Sequence, residues 1–230
     1  MECLYVPELS NDTESLSVKG EELKHLWALR LKVGEMVMLS NGKGICSLSQ
    51  LCKISKTEAE VKTKEILFDF GENQVKIGLG LGILDSRDRM EFAIEKSVEL
   101  GITDFYPIIC EYSQKKTISS ERLQSKAIAA MKQCKRSFLP IIHTPMTVMQ
   151  VLNNSKDWKK IYIGDSSGEH IDNSNPKEPI LVLIGTEGGF SKNEMKLFNQ
   201  DSRSNCISLG SRRLRAETAA IVALSLVIHS

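Results

Sequence analysis

The clearest structural pattern in this chain is Ile180-Leu181-Val182-Leu183-Ile184-Gly185-Thr186-Glu187-Gly188-Gly189-Phe190. Its five leading apolar residues indicate a buried strand of a parallel sheet. Glycines follow at once, and Ser191-Lys192-Asn193-Glu194 then has the pattern of a capping box that starts a helix. In α/β proteins such a loop is where ligands bind, beyond the carboxyl ends of the strands. Taken alone, the glycines are explained better by a tight turn that needs a positive φ.

A second unit of the same kind follows directly. Residues 206–210 are predicted to form a strand that ends in glycine, 211–218 a charged loop and 219–228 an apolar helix. Two glycine-ended strands this close together predict two walls of one pocket. We favour a ligand-binding role over a merely solvated one for three arginines at the end of the second strand: Arg212, Arg213 and Arg215.

The preceding part of the chain alternates strands and helices, which predicts an α/β fold with a mostly parallel sheet. The pattern indicates strands at 75–84, 105–109 and 161–163, and helices at 87–100 and 120–136. The low hydrophobicity of 165–179 predicts a surface loop.

The first seventy residues have a different pattern, typical of a small β-barrel module. Polarity changes at 68–73, which predicts domains at 1–70 and 71–230. Apolar spacing indicates a helix within 20–30, and Asn41-Gly42 is a hairpin signal. Trp27, Met36 and Met38 are interpreted as core residues. Short strands are predicted at 4–6, 36–39, 45–54 and 59–66.

Composition bounds the class of protein. The 230-residue chain has 41% hydrophobic residues, 26% charged residues and a net charge of +1, which is typical of a soluble globular protein. This composition excludes a collagen-like, a coiled-coil and a wholly disordered protein. The charge excludes a nucleic-acid coat but permits an enzyme that touches RNA through local patches. No stretch approaches the ~20 apolar residues of a membrane span, and we expect no signal peptide. Six scattered cysteines indicate reduced thiols and a cytoplasmic protein.

Other catalytic motifs are missing from the sequence. It has no P-loop, no nucleophile elbow and no G-x-G-x-x-G that opens a helix. The four histidines lack metal-ligand spacing, so we expect no metal.

Several spaced motifs together resemble one family, the RsmE ribosomal RNA methyltransferases of the SPOUT superfamily. Residues 183–191 are similar to the family's L-I-G-P-E-G-G-F-S, and 209–219 to its L-G-x-R-I-L-R-T-E-T-A. The chain departs from the family pattern at Lys132, Thr186, Arg213 and Ala216. Further similar segments are 88–101, 133–136 with Pro140, 25–34 and 41–44.

The resemblance implies a fold, a cofactor and a substrate. The fold is a PUA-like RNA-binding β-barrel followed by a SPOUT-type parallel sheet with a C-terminal trefoil knot. The expected protein is a homodimer without a membrane segment. It uses S-adenosyl-L-methionine to methylate N3 of one uridine in the decoding region of 16S ribosomal RNA, as free RNA or in the assembled small subunit.

The resemblance also suggests a role for individual residues. Arg215 is expected to stabilise negative charge on the uracil, and Glu217 or Glu187 to accept the N3 proton or, as we favour, to anchor the loop. The residues expected to hold the cofactor are Ile184, Gly185, Glu187, Gly188, Gly189, Leu209, Gly210 and Leu214. The residues expected to contact RNA are Arg30, Lys32, Lys43, Arg136, Arg212 and Arg213.

Three other functions remain open. A related knotted enzyme would methylate the ribose 2′-OH of ribosomal or transfer RNA and give a different nucleoside. A non-catalytic RNA-binding relative would fail to bind S-adenosylmethionine. A nucleotide enzyme with a phosphate loop is disfavoured because the P-loop lysine is missing.

Overall fold

The computed structural model describes residues 1–170 and 177–228. The chain divides into two units, one made of Met1–Glu72 with Ile128–Leu139 and the other of Asn73–Ala127 with Pro140–Ser230. The segment Ile128–Leu139 belongs to the first unit, although more than fifty residues separate it from the rest of that unit in the sequence. The predicted division at residue 70 instead assigned this segment to the second domain. Ion pairs within the unit explain its position, since Lys132 Nζ lies 2.7 Å from Glu22 Oε1.

The first unit is built on a five-stranded sheet with the order β1-β3-β4-β5-β2. β1 and β3 are parallel and the other pairs are antiparallel. The helix α1 (Gly20–Ala28) contributes Leu23 and Leu26 to the core under the sheet. The strands are β1 (Cys3–Tyr5), β2 (Ser15–Val18), β3 (Met36–Ser40), β4 (Ile45–Ile54) and β5 (Ala59–Phe68).

Two residues interpreted as core are exposed, so that part of the prediction was wrong. Trp27 is 51% exposed. The buried face of α1 is formed by Leu23 and Leu26, which are three residues apart, and Trp27 lies outside that face. Met36 is 38% exposed because it is the first residue of β3, at the end of the strand. Met38, two residues further on, is buried as predicted.

The second unit is built on a seven-stranded sheet, which confirms the predicted α/β fold with a parallel sheet. Its order is β12-β10-β11-β6-β7-β8, with β9 also pairing to β7, and every pair is parallel. The strands are β6 (Ile77–Gly82), β7 (Asp104–Ile109), β8 (Ile141–Ile142), β9 (Met146–Thr147), β10 (Lys160–Glu169), β11 (Ile180–Ile184) and β12 (Ser204–Ile207).

The helices lie between these strands in the chain. Buried apolar residues recur at helical spacing along α6, at Ala220, Ala223, Leu224 and Val227. They form the face by which α6 packs against α2, β6 and β11. Within the part of the chain described here, none of the helices is long and apolar enough to span a membrane. The helices are α2 (Arg87–Glu99), α3 (Ser120–Cys134), α4 (Val148–Asn154), α5 (Lys192–Gln200) and α6 (Ala216–Ile228).

Two predicted boundaries near the site were wrong. The surface loop expected from residue 165 is in part strand, because β10 continues to Glu169. Gly164 and Glu169 both pair with Ile207, so the polar residues between them form a bulge that hydrophobicity does not reveal. The rest of that expected loop includes 171–176, which lie outside the described residues. β12 ends at Ile207, so 208–215 is loop.

Candidate active site

A cleft of about 740 Å³ lies at the carboxyl ends of β11 and β12 and at the bulge of β10. Its walls are the glycine-rich loop after β11 and the charged loop after β12, as the two glycine-ended strands predicted. The cleft brings together every residue expected to hold the cofactor. The lining comprises Ile184, Gly185, Thr186, Glu187, Gly188, Gly189, Leu209, Gly210, Leu214, Arg212, Arg213, Arg215, Arg89, Gly164, Asp165, Ser166, Ala216 and Ala219.

The glycine-rich loop folds back on itself. The amide of Gly189 donates a hydrogen bond to the carbonyl oxygen of Thr186 at 2.9 Å. A Cβ on Gly185 would lie 2.5 Å from the carbonyl carbon of Gly189, so only glycine fits there. The loop therefore presents backbone rather than side chain to the cleft.

Gly210 shapes the opposite wall. Its φ is +106°, a conformation that side chains of L-residues rarely adopt, and a Cβ there would meet nothing within 4 Å. The open space is therefore available to a ligand, while the backbone conformation requires glycine.

Arg89, which received no role in the sequence analysis, links the glycine-rich loop to the first turn of α6. Its Nη1 donates to Glu187 Oε1 at 2.7 Å, and its Nε donates to Glu217 Oε2 at 2.8 Å. The hydrogen bond that Arg89 donates to Glu217 raises the pKa of Arg89, so the guanidinium stays charged. Arg89 lies in the first turn of α2, far from Glu187 and Glu217 in the sequence. No local sequence pattern therefore predicts these contacts.

Glu217 is suited to anchoring the site. It is buried beside the cleft at the start of α6. Burial raises the pKa of its carboxyl, but the hydrogen bond and charge of Arg89 outweigh burial, so the pKa lies below its ordinary value. A carboxylate held this way is a weak proton acceptor at neutral pH. The geometry therefore favours the anchoring role over the catalytic one.

The three arginines of the charged loop differ in their partners. Arg213 Nη2 donates to the backbone oxygen of Glu187 at 3.3 Å, across the cleft mouth. Arg215 is exposed, and its backbone oxygen accepts from the amide of Ala219 in the first turn of α6. Within 1–170 and 177–228, no side-chain hydrogen bond engages the guanidinium of Arg212 or of Arg215. Both are thus available to a ligand.

The structure corrects one expected RNA contact. Arg136 is only 2% exposed, and its Nη2 lies 2.6 Å from Glu72 Oε2. Glu72 also accepts from the amides of Ser137 and Phe138, so the pair fixes the segment after α3 within the first unit. A guanidinium buried in an ion pair does not reach a phosphate. The other basic residues expected to touch RNA in this unit are exposed: Arg30, Lys32 and Lys43.

The cleft fits S-adenosylmethionine. Ile184, Leu209 and Leu214 provide apolar walls for an adenosine, and the two loops provide backbone groups at the glycine positions. Among the described residues, no group of three or more His, Cys, Asp or Glu is arranged to hold a metal ion. Cys110, at the end of β7, is no activated nucleophile, since burial raises the pKa of its thiol to about 12.

Comparison with known proteins places the chain in a family. The family model described as "RNA methyltransferase domain" matches residues 71–228. A protein named ribosomal RNA small subunit methyltransferase E from Rickettsia conorii is 33% identical over 205 residues, covering 86% of this chain and 82% of the relative. A protein of the same name from Bacillus subtilis is 27% identical and covers 95% of this chain and 91% of the relative.

Solved structures agree over nearly the whole chain. The ribosomal RNA small subunit methyltransferase E of Neisseria gonorrhoeae, crystallised with S-adenosyl methionine, is 27% identical with a TM-score of 0.88 and covers 98% of this chain and 95% of that one. A Legionella pneumophila structure, described as a putative methyltransferase in complex with the cofactor SAM, is 29% identical with a TM-score of 0.84, covering 98% and 96%. This chain therefore belongs to the RsmE family of ribosomal RNA small subunit methyltransferases.

Proposed function

We propose that this protein transfers the methyl group of S-adenosylmethionine to N3 of one uridine in the decoding region of 16S ribosomal RNA. The observation that carries the proposal is the cleft in which the glycine-rich loop meets Arg215, whose guanidinium forms no side-chain hydrogen bond within the described residues. The names of the relatives and the S-adenosyl methionine of the Neisseria gonorrhoeae structure support it.

The cofactor is held by backbone and apolar groups. The two loops grip the adenosine through the residues that line the cleft: Ile184, Gly185, Glu187, Gly188, Gly189, Leu209, Gly210 and Leu214. When bound, S-adenosylmethionine supplies a methyl group already activated on a sulfonium sulfur. The protein therefore needs no covalent intermediate and no metal ion. Its remaining task is to orient the uracil and to stabilise its anion.

Arg215 is the catalytic residue in this scheme. Loss of the N3 proton leaves negative charge on N3 and the two carbonyl oxygens of the uracil. The Arg215 guanidinium stabilises that charge from the rim of the cleft, and its backbone is anchored to the start of α6. The N3 proton leaves to water, while Glu217 and Glu187 keep Arg89 and the glycine-rich loop in place.

RNA is bound by exposed cations. Arg212 and Arg213 border the cleft and contact the backbone phosphates next to the target. In the first unit, Arg30, Lys32 and Lys43 are exposed and make further phosphate contacts.

The finer architecture is part of the proposal. The C-terminal segment forms a trefoil knot. The path of the chain supports this, because β12 lies at the edge of the sheet whereas α6, which follows it, packs on β11 and β6 on the far side of β10. Residues 1–70 form a PUA-like barrel, to which the segment Ile128–Leu139 is added, and the remainder of 71–230 is the SPOUT domain. The protein is a cytoplasmic homodimer. Its six free cysteines support the compartment, and the exposed Phe92 on α2 and Leu226 on α6 support dimerisation through these packed helices.

A methyl-transfer assay tests this proposal. Purified protein and methyl-labelled S-adenosylmethionine are incubated with small ribosomal subunits, free 16S RNA or large subunits from cells that lack the protein. The label is expected in 16S RNA and not in the RNA of the large subunit. Labelling of large-subunit RNA, or no labelling of either, would contradict the proposal.

A further inference from the structure

A second pocket of about 450 Å³ adjoins the cofactor cleft. It lies beyond the carboxyl ends of β6 and β7, next to the end of β11. The two spaces share a wall made of Arg89, Thr186, Glu187 and Gly188. The far wall of the second pocket includes Tyr112 and Gln114. A ligand there would lie next to the cofactor cleft, at this shared wall.

The ring of Tyr112 is held at this wall by the turn that follows β7. The amide of Glu111 donates to Glu194 Oε1 at 2.9 Å, and the amide of Ser113 donates to the carbonyl of Cys110 at 3.0 Å. A Cβ on Gly188 would lie 3.3 Å from the Tyr112 ring, so the ring rests against the glycine-rich loop. The ring therefore lies between this turn and the glycine-rich loop.

Neither Tyr112 nor Gln114 has an evident structural task. Tyr112 is 53% exposed and stands outside the hydrophobic core. In the described ranges, neither the Tyr112 hydroxyl nor the Gln114 amide forms a hydrogen bond with another residue. The aromatic ring of Tyr112 and the side-chain amide of Gln114 therefore line the same pocket, and both are available to stack on a ligand or to hydrogen-bond with it.

The charges of the pocket are already compensated. Glu187 is paired with Arg89 at 2.7 Å, and Asp85 with Lys115 at 3.3 Å. A pocket without excess charge suits a neutral planar heterocycle better than a phosphate or a metal ion. A tyrosine ring offers such a heterocycle a stacking face, and a glutamine amide donates to a carbonyl oxygen on its edge.

We propose that this pocket receives the target uracil at the wall it shares with the cofactor cleft, so that N3 faces the cleft and Arg215. Tyr112 stacks on the base, and Gln114 donates a hydrogen bond to a uracil carbonyl oxygen. The inference rests on the proposed function and adds the residues that select the base. Because enzymes that modify a base take it out of its stack, a substitute stacking surface beside the cofactor lowers the cost of presenting it.

Steady-state kinetics on undermethylated small subunits tests the stacking role. Tyr112→Ala is expected to lower kcat/KM about tenfold to a hundredfold, the range found for loss of one base–aromatic stack. Tyr112→Phe keeps the ring and is expected to stay within about threefold of the parent protein. Gln114→Ala is expected to lower kcat/KM, whereas the matched control Gln200→Ala, an exposed glutamine at the end of α5, is not. Calorimetry should show unchanged S-adenosylmethionine affinity in all four variants.

Photo-cross-linking gives a readout that does not depend on turnover. Small-subunit RNA containing 5-iodouridine is irradiated with the parent protein, and the cross-linked peptide is identified by mass spectrometry. We expect a cross-link at Tyr112 that disappears in Tyr112→Ala. Absence of that cross-link, or parent-like kcat/KM in Tyr112→Ala, would overturn the inference while leaving the proposed function intact. Failure of the parent itself to methylate RNA would overturn the proposed function and this inference with it.

Discussion

The guanidinium of Arg89 donates two hydrogen bonds to the carboxylate of Glu217, at 2.8 Å from Nε and 2.5 Å from Nη2. This contact joins the first turn of α2 to the first turn of α6, two helices that pack against each other. The third nitrogen of the same guanidinium holds Glu187 in the glycine-rich loop. One side chain thus links the glycine-rich loop to the first turn of α6, beside the cofactor cleft.

Glu217→Gln is predicted to destabilise the protein by about 1–3 kcal/mol at pH 7, because it removes one charge of a mostly buried, hydrogen-bonded pair. The free energy of unfolding in urea measures the effect. The folded pKa of Glu217 lies below its ordinary 4.5, so its contribution is complete above that pH and is lost as pH falls through the folded pKa. The difference between parent and variant should therefore shrink in acid. A difference that stays constant down to pH 3 would show that the ion pair is not its cause.

Arg215→Ala and Arg213→Ala are predicted to fail in different ways. Arg215→Ala should lower the single-turnover rate of methyl transfer by ~10²–10³, the usual loss for one preorganised electrostatic donor, with little change in S-adenosylmethionine binding. Arg213→Ala should weaken RNA binding and reduce its salt dependence, with near-normal turnover at saturating RNA. If Arg213→Ala abolishes turnover and Arg215→Ala does not, the two roles must be exchanged.

Gly210→Ala is predicted to lower the affinity for S-adenosylmethionine about tenfold or more, because its φ of +106° strains any side-chain-bearing residue and the new methyl group enters the open cleft. Gly20→Ala is the matched control. Gly20 also has a positive φ, +63°, and open space, but it lies in the first unit. Calorimetry should show parent-like affinity for Gly20→Ala. Equal affinities in both variants would argue against a cofactor wall at Gly210.

Arg136→Ala is predicted to act on stability. Removing one partner of a buried ion pair costs about 3–5 kcal/mol, since Glu72 keeps an uncompensated charge. Urea denaturation should therefore show a large loss. RNA affinity, measured under conditions in which the variant remains folded, should change little. A stable variant with weakened RNA binding would restore the phosphate-binding role that the sequence suggested.

A part of the site can be predicted from the sequence when the residues that form it are close together along the chain. The glycine-rich loop follows its strand directly, so both the strand and the loop are readable from 180–190. The contact between Arg89 and Glu217 spans 128 residues and exists only once α2 and α6 pack together. Arg136 and Trp27 were misjudged for a related reason, because burial of a single side chain is decided by neighbours from distant segments.

The identity of the methylated nucleoside distinguishes methylation of the base from methylation of the ribose. 16S RNA methylated by the purified protein is digested to nucleosides, separated by liquid chromatography and identified by mass spectrometry, with unmethylated RNA from cells lacking the protein as the control. A methyl group on N3 of the base is the predicted result, seen as 3-methyluridine. A methyl group on the ribose, seen as a 2′-O-methylnucleoside, would contradict the account.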